Sequence, residues 1–222
     1  MKILKIVYII MPITISLAYL WAPPAEILGE SSRILYFHVP LAWVSTLAFL
    51  VSGIASIIFL YDREKKFILI EEKAYNSARL GMLFTILTII TGSIWSKISW
   101  GAYWNWDPRQ TSIVILLLIY IAYFSLRSAL ADNPNKGRLA SSFLIFAMIT
   151  VPFFVFIIPR LYPSLHPDPI INPDEKIHLD EKMQITLLVS LVSFTLVYLY
   201  IFSIQNRLSK IMLKTEEKYH EE

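Results

Sequence analysis

The chain has 222 residues, of which 56% are hydrophobic and only 17% are charged, whereas soluble domains carry about 25% charged residues. This composition predicts an all-α integral membrane protein. Because the chain has no cysteine, disulfides, thiolate metal ligands and thioether-linked cofactors are excluded within it. The net charge of +3 does not indicate a nucleic-acid partner, because the Lys and Arg residues of membrane proteins gather in cytoplasmic loops.

Six apolar runs, bounded by charged residues or proline, predict six transmembrane helices, since a span needs about 20 apolar residues. The runs cover residues 4–21, 41–61, 80–98, 112–130, 139–159 and 183–204. The first run is similar to a signal peptide, but Trp21-Ala22-Pro23-Pro24 is a poor cleavage site, so we predict a retained helix. We assign residues 1–205 to a six-helix membrane domain and residues 206–222 to a charged cytoplasmic tail.

The basic residues predict the orientation of the chain in the membrane. With six helices, both termini and the loops 62–79 and 127–138 share one side, which holds fourteen Lys and Arg residues. Segments 22–40, 96–111 and 160–182 share the other side, which holds six. Cytoplasmic segments are enriched in basic residues, so both termini are predicted to be cytoplasmic. The outer side also holds most of the tryptophans and histidines, and we expect any chemistry there.

His38 lies just before the second predicted helix, in the sequence Tyr36-Phe-His38-Val-Pro40. We expect Pro40 to open that helix, because proline is favoured in a first turn. His166 follows the fifth predicted helix, at a similar depth. Two imidazoles from separate helix ends could bind one metal from opposite sides, which fits haem iron better than tetrahedral zinc. The alternative is that each histidine is an ordinary polar residue of the membrane interface.

The segment from Trp95 to Thr111 contains four of the six tryptophans of the chain. If the chain is helical from Ser99 onwards, Trp100 and Trp104 lie one turn apart and stack on one face. Such a surface suits a flat, apolar ligand, and we predict a binding platform. An aromatic belt at the level of the lipid headgroups is the alternative, because tryptophan is common there in any membrane protein.

Within this segment, Asp107 has the pattern of a helix N-cap. Pro108 would occupy the first turn and Gln110 the third position, which together predict the start of the fourth helix. We therefore expect capping to be the direct role of Asp107.

Three arginines on the outer side are candidates for pairing with anionic haem propionates, because guanidinium groups offer planar, forked donors. They are Arg33, Arg109 and Arg160. Each could instead anchor the chain at the headgroups, and this is the role we expect for Arg160. We predict no ligand role for His178, in a charged loop, or for His220, in the cytoplasmic tail.

The tryptophan-rich segment resembles the WWD signature of the haem-handling proteins of cytochrome c maturation. The matching residues are Trp100-Gly-Ala-Tyr-Trp104-Asn-Trp106-Asp107-Pro-Arg109-Gln-Thr111. Together with the His38 element, a histidine after the fifth helix, six helices and the short length, this makes the chain similar to the CcmC family. The run Asp107-Pro-Arg-Gln-Thr111 departs from that family towards the related CcsA proteins, which have more spans and further histidines.

The resemblance implies that the chain binds haem b non-covalently, with His38 and His166 as axial iron ligands, at the periplasmic side of the inner membrane. Haem would then pass to the chaperone CcmE, and the ABC transporter CcmA/CcmB and the small protein CcmD would be further partners. The full set of expected cofactor-binding residues is His38, His166, Trp100, Tyr103, Trp104, Trp106, Asp107, Arg109 and Arg33.

Two other functions remain open from the residues alone. One is a small-molecule permease, and the other is a membrane assembly subunit whose aromatic segment docks a partner. For the haem-handling function we expect no bond change by this chain alone, although it could promote covalent attachment of haem to CcmE.

Overall fold

The computed structural model describes residues 2–61, 68–166 and 179–221. Within these residues, six helical spans are long and apolar enough to cross a membrane. The predicted number of spans is therefore confirmed. The helices are α1 (Lys2–Ser16), α2 (Leu35–Tyr61), α3 (Ile68–Trp100), α4 (Pro108–Ala129), α5 (Lys136–Pro152), the short α6 (Ile158–Leu161) and α7 (Glu181–Glu221). His178 lies outside the described residues, and the predicted orientation of the termini remains a prediction.

Three short turns extend these helices. The π-helical turn Leu17–Trp21 continues α1, the 3-10 turn Glu30–Ile34 leads into α2, and the π-helical turn Phe153–Ile157 joins α5 to α6. Two of the extended helices contain a proline upstream of the π turn, at Pro12 and Pro152. Proline removes a backbone hydrogen bond and disturbs the α-helical ladder, which favours such irregular turns.

Helix α2 begins at Leu35, so the prediction that Pro40 opens it is wrong. The 3-10 turn Glu30–Ile34 already sets a helical path before Leu35, and α2 continues through Pro40, its sixth residue, with the loss of the one backbone hydrogen bond that an N–H there would make. His38 consequently lies inside the first turn of α2. Its imidazole is held by a regular helix rather than by a loop.

Helices α3 and α7 are much longer than a bilayer requires. Their 33 and 41 residues correspond to about 50 and 60 Å at a rise of 1.5 Å per residue, against a hydrocarbon core of about 30 Å. Helix α7 continues without a break past residue 205, where we placed the boundary of the tail.

At the end of α3 away from Trp100, Arg127 of α4 forms ion pairs with Glu71 and with Glu72 of α3.

Close packing around α2 and α3 forms the centre of the bundle. The ring of Phe49 on α2 is fully buried and stacks on Tyr120 of α4, with ring centroids 3.5 Å apart. Gly81 of α3 faces the same ring, and a methyl group at this glycine would collide with it. Buried hydroxyl groups also join α2 to α3, as in the 2.5 Å hydrogen bond between Ser45 and Thr85.

We expect Gly81→Val to destabilise the folded chain by about 1–3 kcal/mol, because the Phe49 ring cannot move away from Tyr120. Thermal unfolding of the chain in detergent measures this loss. Ala122→Val is the matched control, because Ala122 is exposed on α4. Equal unfolding temperatures for the two variants would contradict this packing.

Candidate functional site

His38 is held in a defined orientation by Thr91 of α3. The imidazole Nδ1 lies 3.0 Å from the Thr91 hydroxyl. The single proton of that hydroxyl is used at the Leu87 carbonyl, 2.8 Å away, and at the Thr88 carbonyl, 3.1 Å away. From these contacts we assign Thr91 as the acceptor of a hydrogen bond from the Nδ1–H of His38. This assigns the proton to Nδ1 and leaves the lone pair on Nε2.

Gly92, the next residue on α3, makes room for this imidazole. A methyl group at Gly92 would lie 2.8 Å from the Cε1 atom of His38, closer than any ordinary contact. The glycine therefore lets the ring lie directly against the helix backbone.

Asp107 caps α4 as predicted, since its carboxylate accepts the backbone N–H of Arg109 at 2.9 Å. The same carboxylate, whose side chain is 0% exposed, also binds the segment that follows α6. It accepts the Leu165 N–H at 2.7 Å, the Ser164 hydroxyl at 2.9 Å and the His166 Nδ1–H at 2.9 Å. Asp107 thus joins the start of α4 to His166.

The charge state of Asp107 determines which nitrogen of His166 carries the proton. Burial raises the pKa of the carboxyl, but the hydrogen bonds from the backbone of Leu165 and Arg109 outweigh burial and hold the pKa below its usual value. The ionised carboxylate can only accept, so the proton of a neutral His166 lies on Nδ1. Ligation through Nε2 is the mode that preserves this hydrogen bond.

Two tryptophans of α3 surround the His166 ring. The ring centroids of Trp95 and Trp100 lie 5.7 and 4.8 Å from that of the imidazole, and Trp95 is nearly buried. The two indoles also contact each other edge-on, at 4.8 Å. The site therefore has an aromatic wall beside one imidazole.

The predicted stacking of Trp100 on Trp104 is wrong. Helix α3 ends at Trp100, and Gly101 turns the chain with a φ of +81°, a conformation that favours glycine. Trp104 instead contacts Trp106 edge-on, at 5.7 Å. The side chain of Trp106 is 77% exposed, so this second pair forms an outward-facing surface separate from the wall at His166.

The loop between α3 and α4 is held by amide hydrogen bonds. The side chain of Asn105 donates to the Ser96 hydroxyl at 2.7 Å, and its backbone N–H donates to the side chain of Gln110 at 2.9 Å. Trp106 adopts a φ of +56°, which is rare for a bulky residue. Such a backbone conformation persists only where the surrounding structure holds it. In this loop it leaves the Trp106 indole facing outwards.

Both histidines lie at the same end of the bundle. His38 contacts α3 at Thr91 and His166 contacts it at Trp95, four residues or about 6 Å further along the helix axis.

The predicted arginines have different surroundings. The guanidinium of Arg33 binds Glu30 at 2.5 Å and the carbonyls of Ala18 and Ala22 at 2.5 and 3.1 Å, so it connects the end of α1 to the start of α2. Arg160 donates to the carbonyl of Phe156, at 2.7 Å. Arg109 lies in the first turn of α4, beside the Asp107 cap. Of the three, Arg109 is therefore the one beside Asp107, the residue that binds His166.

Tyr103 lies on the loop with its side chain 61% exposed, and the ammonium of Lys97 is 5.7 Å from its ring centroid. It therefore belongs to the outward-facing part of the loop.

Sequence analysis missed Thr91, Gly92 and Ser164. Thr91 could have been found, because it lies one helical turn before Trp95 and so shares a face of α3 with it. Gly92 is the residue that follows Thr91. Ser164 has no comparable signal. Its contact with Asp107 joins residues 57 positions apart.

The donor set fits a bis-imidazole iron site. Each histidine has its Nδ1 engaged by a neighbour, which orients Nε2 for a metal. Among residues 2–61, 68–166 and 179–221, no group of three or more His, Cys, Asp or Glu residues forms a metal-binding cluster. The arrangement is therefore closer to haem ligation than to a tetrahedral zinc site.

Residues 1–221 match the family model described as Heme exporter protein C. The Heme exporter protein C of Bradyrhizobium diazoefficiens is 32% identical over 170 residues, which cover 77% of this chain and 63% of the relative. The protein of the same name from Haemophilus influenzae is 28% identical over 198 residues, which cover 89% and 78%.

A plant relative is also similar. The putative cytochrome c biosynthesis ccmC-like mitochondrial protein of Marchantia polymorpha is 37% identical over 138 residues, 62% of this chain and 57% of the relative. The chain thus spans about 60% of the length of the Marchantia and Bradyrhizobium relatives.

We expect Asp107→Ala to lower the thermal stability of the chain more than Asp180→Ala does. Asp180 is a matched control, because it is exposed and, among the residues that the structure describes, its side chain accepts only the backbone N–H of Lys182 at the start of α7. Loss of such a cap costs about 1 kcal/mol, whereas Asp107→Ala also leaves buried donors unpaired. Thermal unfolding in detergent at neutral pH compares the two variants, and equal losses would contradict the joining role of Asp107.

The same variant pair tests the charge of Asp107. Because its pKa is lowered in the folded state, its stabilising effect is complete at neutral pH and is lost as the pH falls through that lowered value. The difference between the wild type and Asp107→Ala should therefore shrink on acidification.

Proposed function

Because the chain belongs to the Heme exporter protein C family, whose members handle haem for cytochrome c maturation, we propose that it binds haem b non-covalently and delivers it to the chaperone CcmE. One observation carries this proposal. His38 and His166 contact α3 one helical turn apart, and each has its Nδ1–H bound by a neighbour.

In this proposal His38 and His166 hold the iron through their Nε2 atoms. Bound haem would supply an iron centre that accepts nitrogen ligands, together with a flat apolar ring. Trp95 and Trp100 flank His166 and would exclude water from that side of the site. Arg109 is the arginine we assign to a propionate, because it is next to Asp107 at the start of α4.

The outward-facing pair of Trp104 and Trp106 is the part of the site that a partner could reach. Trp106 is 77% exposed, and exposed aromatic side chains are typical anchors of protein interfaces. We assign this pair to contact with CcmE as it receives haem. CcmA/CcmB and CcmD are the further partners we propose on the basis of the family.

We place the protein in the cytoplasmic membrane, with the histidine site on the periplasmic side. The excess of basic residues in the opposite loops and at both termini supports this orientation.

The permease alternative requires polar groups that line a passage at mid-membrane depth. The hydroxyls of Ser52 and Ser77 at the α2–α3 contact instead bond to the carbonyls of Ala74 and Ala48 on the facing helix. These groups hold the helices together, which favours haem handling at the bundle end over transport through the bundle.

Replacing either His38 or His166 with Ala is expected to remove most of the haem retained by the purified full chain. Each change deletes one of two iron ligands, and the absorbance of bound haem measures the loss. His220→Ala, on α7, is the control and should retain haem like the wild type. Undiminished haem absorbance in both ligand variants would refute the assignment.

The double change Trp104→Ala and Trp106→Ala should lower haem transfer to purified CcmE while the chain keeps its own haem. The reason is that this pair lies outside the aromatic wall at His166. Trp21→Ala, at an exposed tryptophan two residues before Pro23, is the control for a general role in the membrane interface. If both changes reduce folded protein equally and transfer per folded molecule is unchanged, the pair is part of an aromatic belt instead.

A further inference from the structure

We infer that the two axial imidazoles are unequal donors: Asp107 makes His166 the stronger ligand, and Thr91 leaves His38 the weaker one that is released first. This inference rests on the proposed function and specifies how the same site gives up its ligand. It assigns Asp107 and Thr91 as positioning residues, which act on haem only through the histidines.

The partner of His166 is a charged group. Asp107 accepts four hydrogen bonds, from the Arg109 and Leu165 backbone, the Ser164 hydroxyl and His166 Nδ1. Its side chain is 0% exposed, so water does not weaken its pull on the Nδ1 proton. A carboxylate that holds the Nδ1 proton increases the basicity of Nε2 and strengthens its bond to a metal.

The partner of His38 is a neutral group. The Thr91 hydroxyl already donates its proton to backbone carbonyls of α3 and offers only a lone pair to His38. Hydrogen bonds to ionised acceptors are roughly twice as strong as those between neutral groups. Thr91 therefore fixes the orientation of His38 without giving its imidazole anionic character.

This difference sets the order of ligand exchange during transfer. His38 would give up its bond from Nε2 to the iron first and would take back the electron pair of that bond. A nitrogen or oxygen donor of the acceptor protein would supply the replacing electron pair, so that no proton or electron is exchanged. His166 would keep its bond through this step, because three hydrogen bonds to Asp107, from Ser164, Leu165 and His166 itself, hold the segment that carries it.

Two single-histidine variants test the inequality directly. The full chain carrying His38→Ala and the full chain carrying His166→Ala are each loaded with excess haem and reduced. Resonance Raman spectroscopy then measures the stretching frequency of the one remaining iron–histidine bond. We expect a higher frequency for His166 than for His38, and a roughly tenfold greater loss of haem affinity for His166→Ala than for His38→Ala. Equal or reversed frequencies would overturn the inference.

The roles of the positioning residues are tested in the same two backgrounds. Asp107→Asn in the His38→Ala chain should lower the iron–His166 frequency. Thr91→Val in the His166→Ala chain should change the iron–His38 frequency less. A purely structural role of Asp107 would reduce the amount of folded protein and leave the frequency of the haem-bound fraction unchanged, which would also overturn the inference.

The outcomes separate this inference from the proposed function. Failure of the wild-type chain to bind haem would refute both. Binding through both histidines with equal bond frequencies would refute only the inequality. If Asp107→Asn does not fold, the comparison of the two single-histidine variants still decides, because both retain Asp107.

Discussion

The buried carboxylate of Asp107 is the interaction on which the histidine site depends. It begins α4 by capping the helix, and it binds a segment 57 to 59 residues further along the chain. A residue that only capped a helix could be exposed and could be replaced by serine or asparagine. Asp107 is fully buried and binds both the first turn of α4 and His166. The residue that starts α4 therefore also holds His166 in place.

Helix α3 provides the second constraint. It carries Thr91 and Gly92 against His38, and one turn later it carries Trp95 against His166. A single rigid helix thus fixes the relative height of two imidazoles that come from α2 and from the segment after α6. Trp95 and Trp100 on α3 contact His166, whereas Trp104 and Trp106 lie in the loop before α4 and contact each other, so the two pairs of tryptophans have different surroundings.

The helices were predictable from the sequence, because length and apolarity are local properties and a membrane demands both. The Asp107 cap was predictable for the same reason. The start of α2 and the pairing of the tryptophans were not, because they depend on a preceding 3-10 turn and on the backbone of Gly101. The joining of Asp107 to Ser164 and His166 is a long-range contact, which spacing along the chain cannot show. Arg33 illustrates the same limit, since its contacts with α1 carbonyls arise only in the folded bundle.

The central claim is that one iron binds His38 and His166 together at the end of the bundle. Electron paramagnetic resonance of the full chain loaded with ferric haem tests this claim most directly. A low-spin spectrum of the bis-imidazole type is the result that this arrangement predicts. A high-spin spectrum, as given by ferric haem with a single protein ligand, would contradict it.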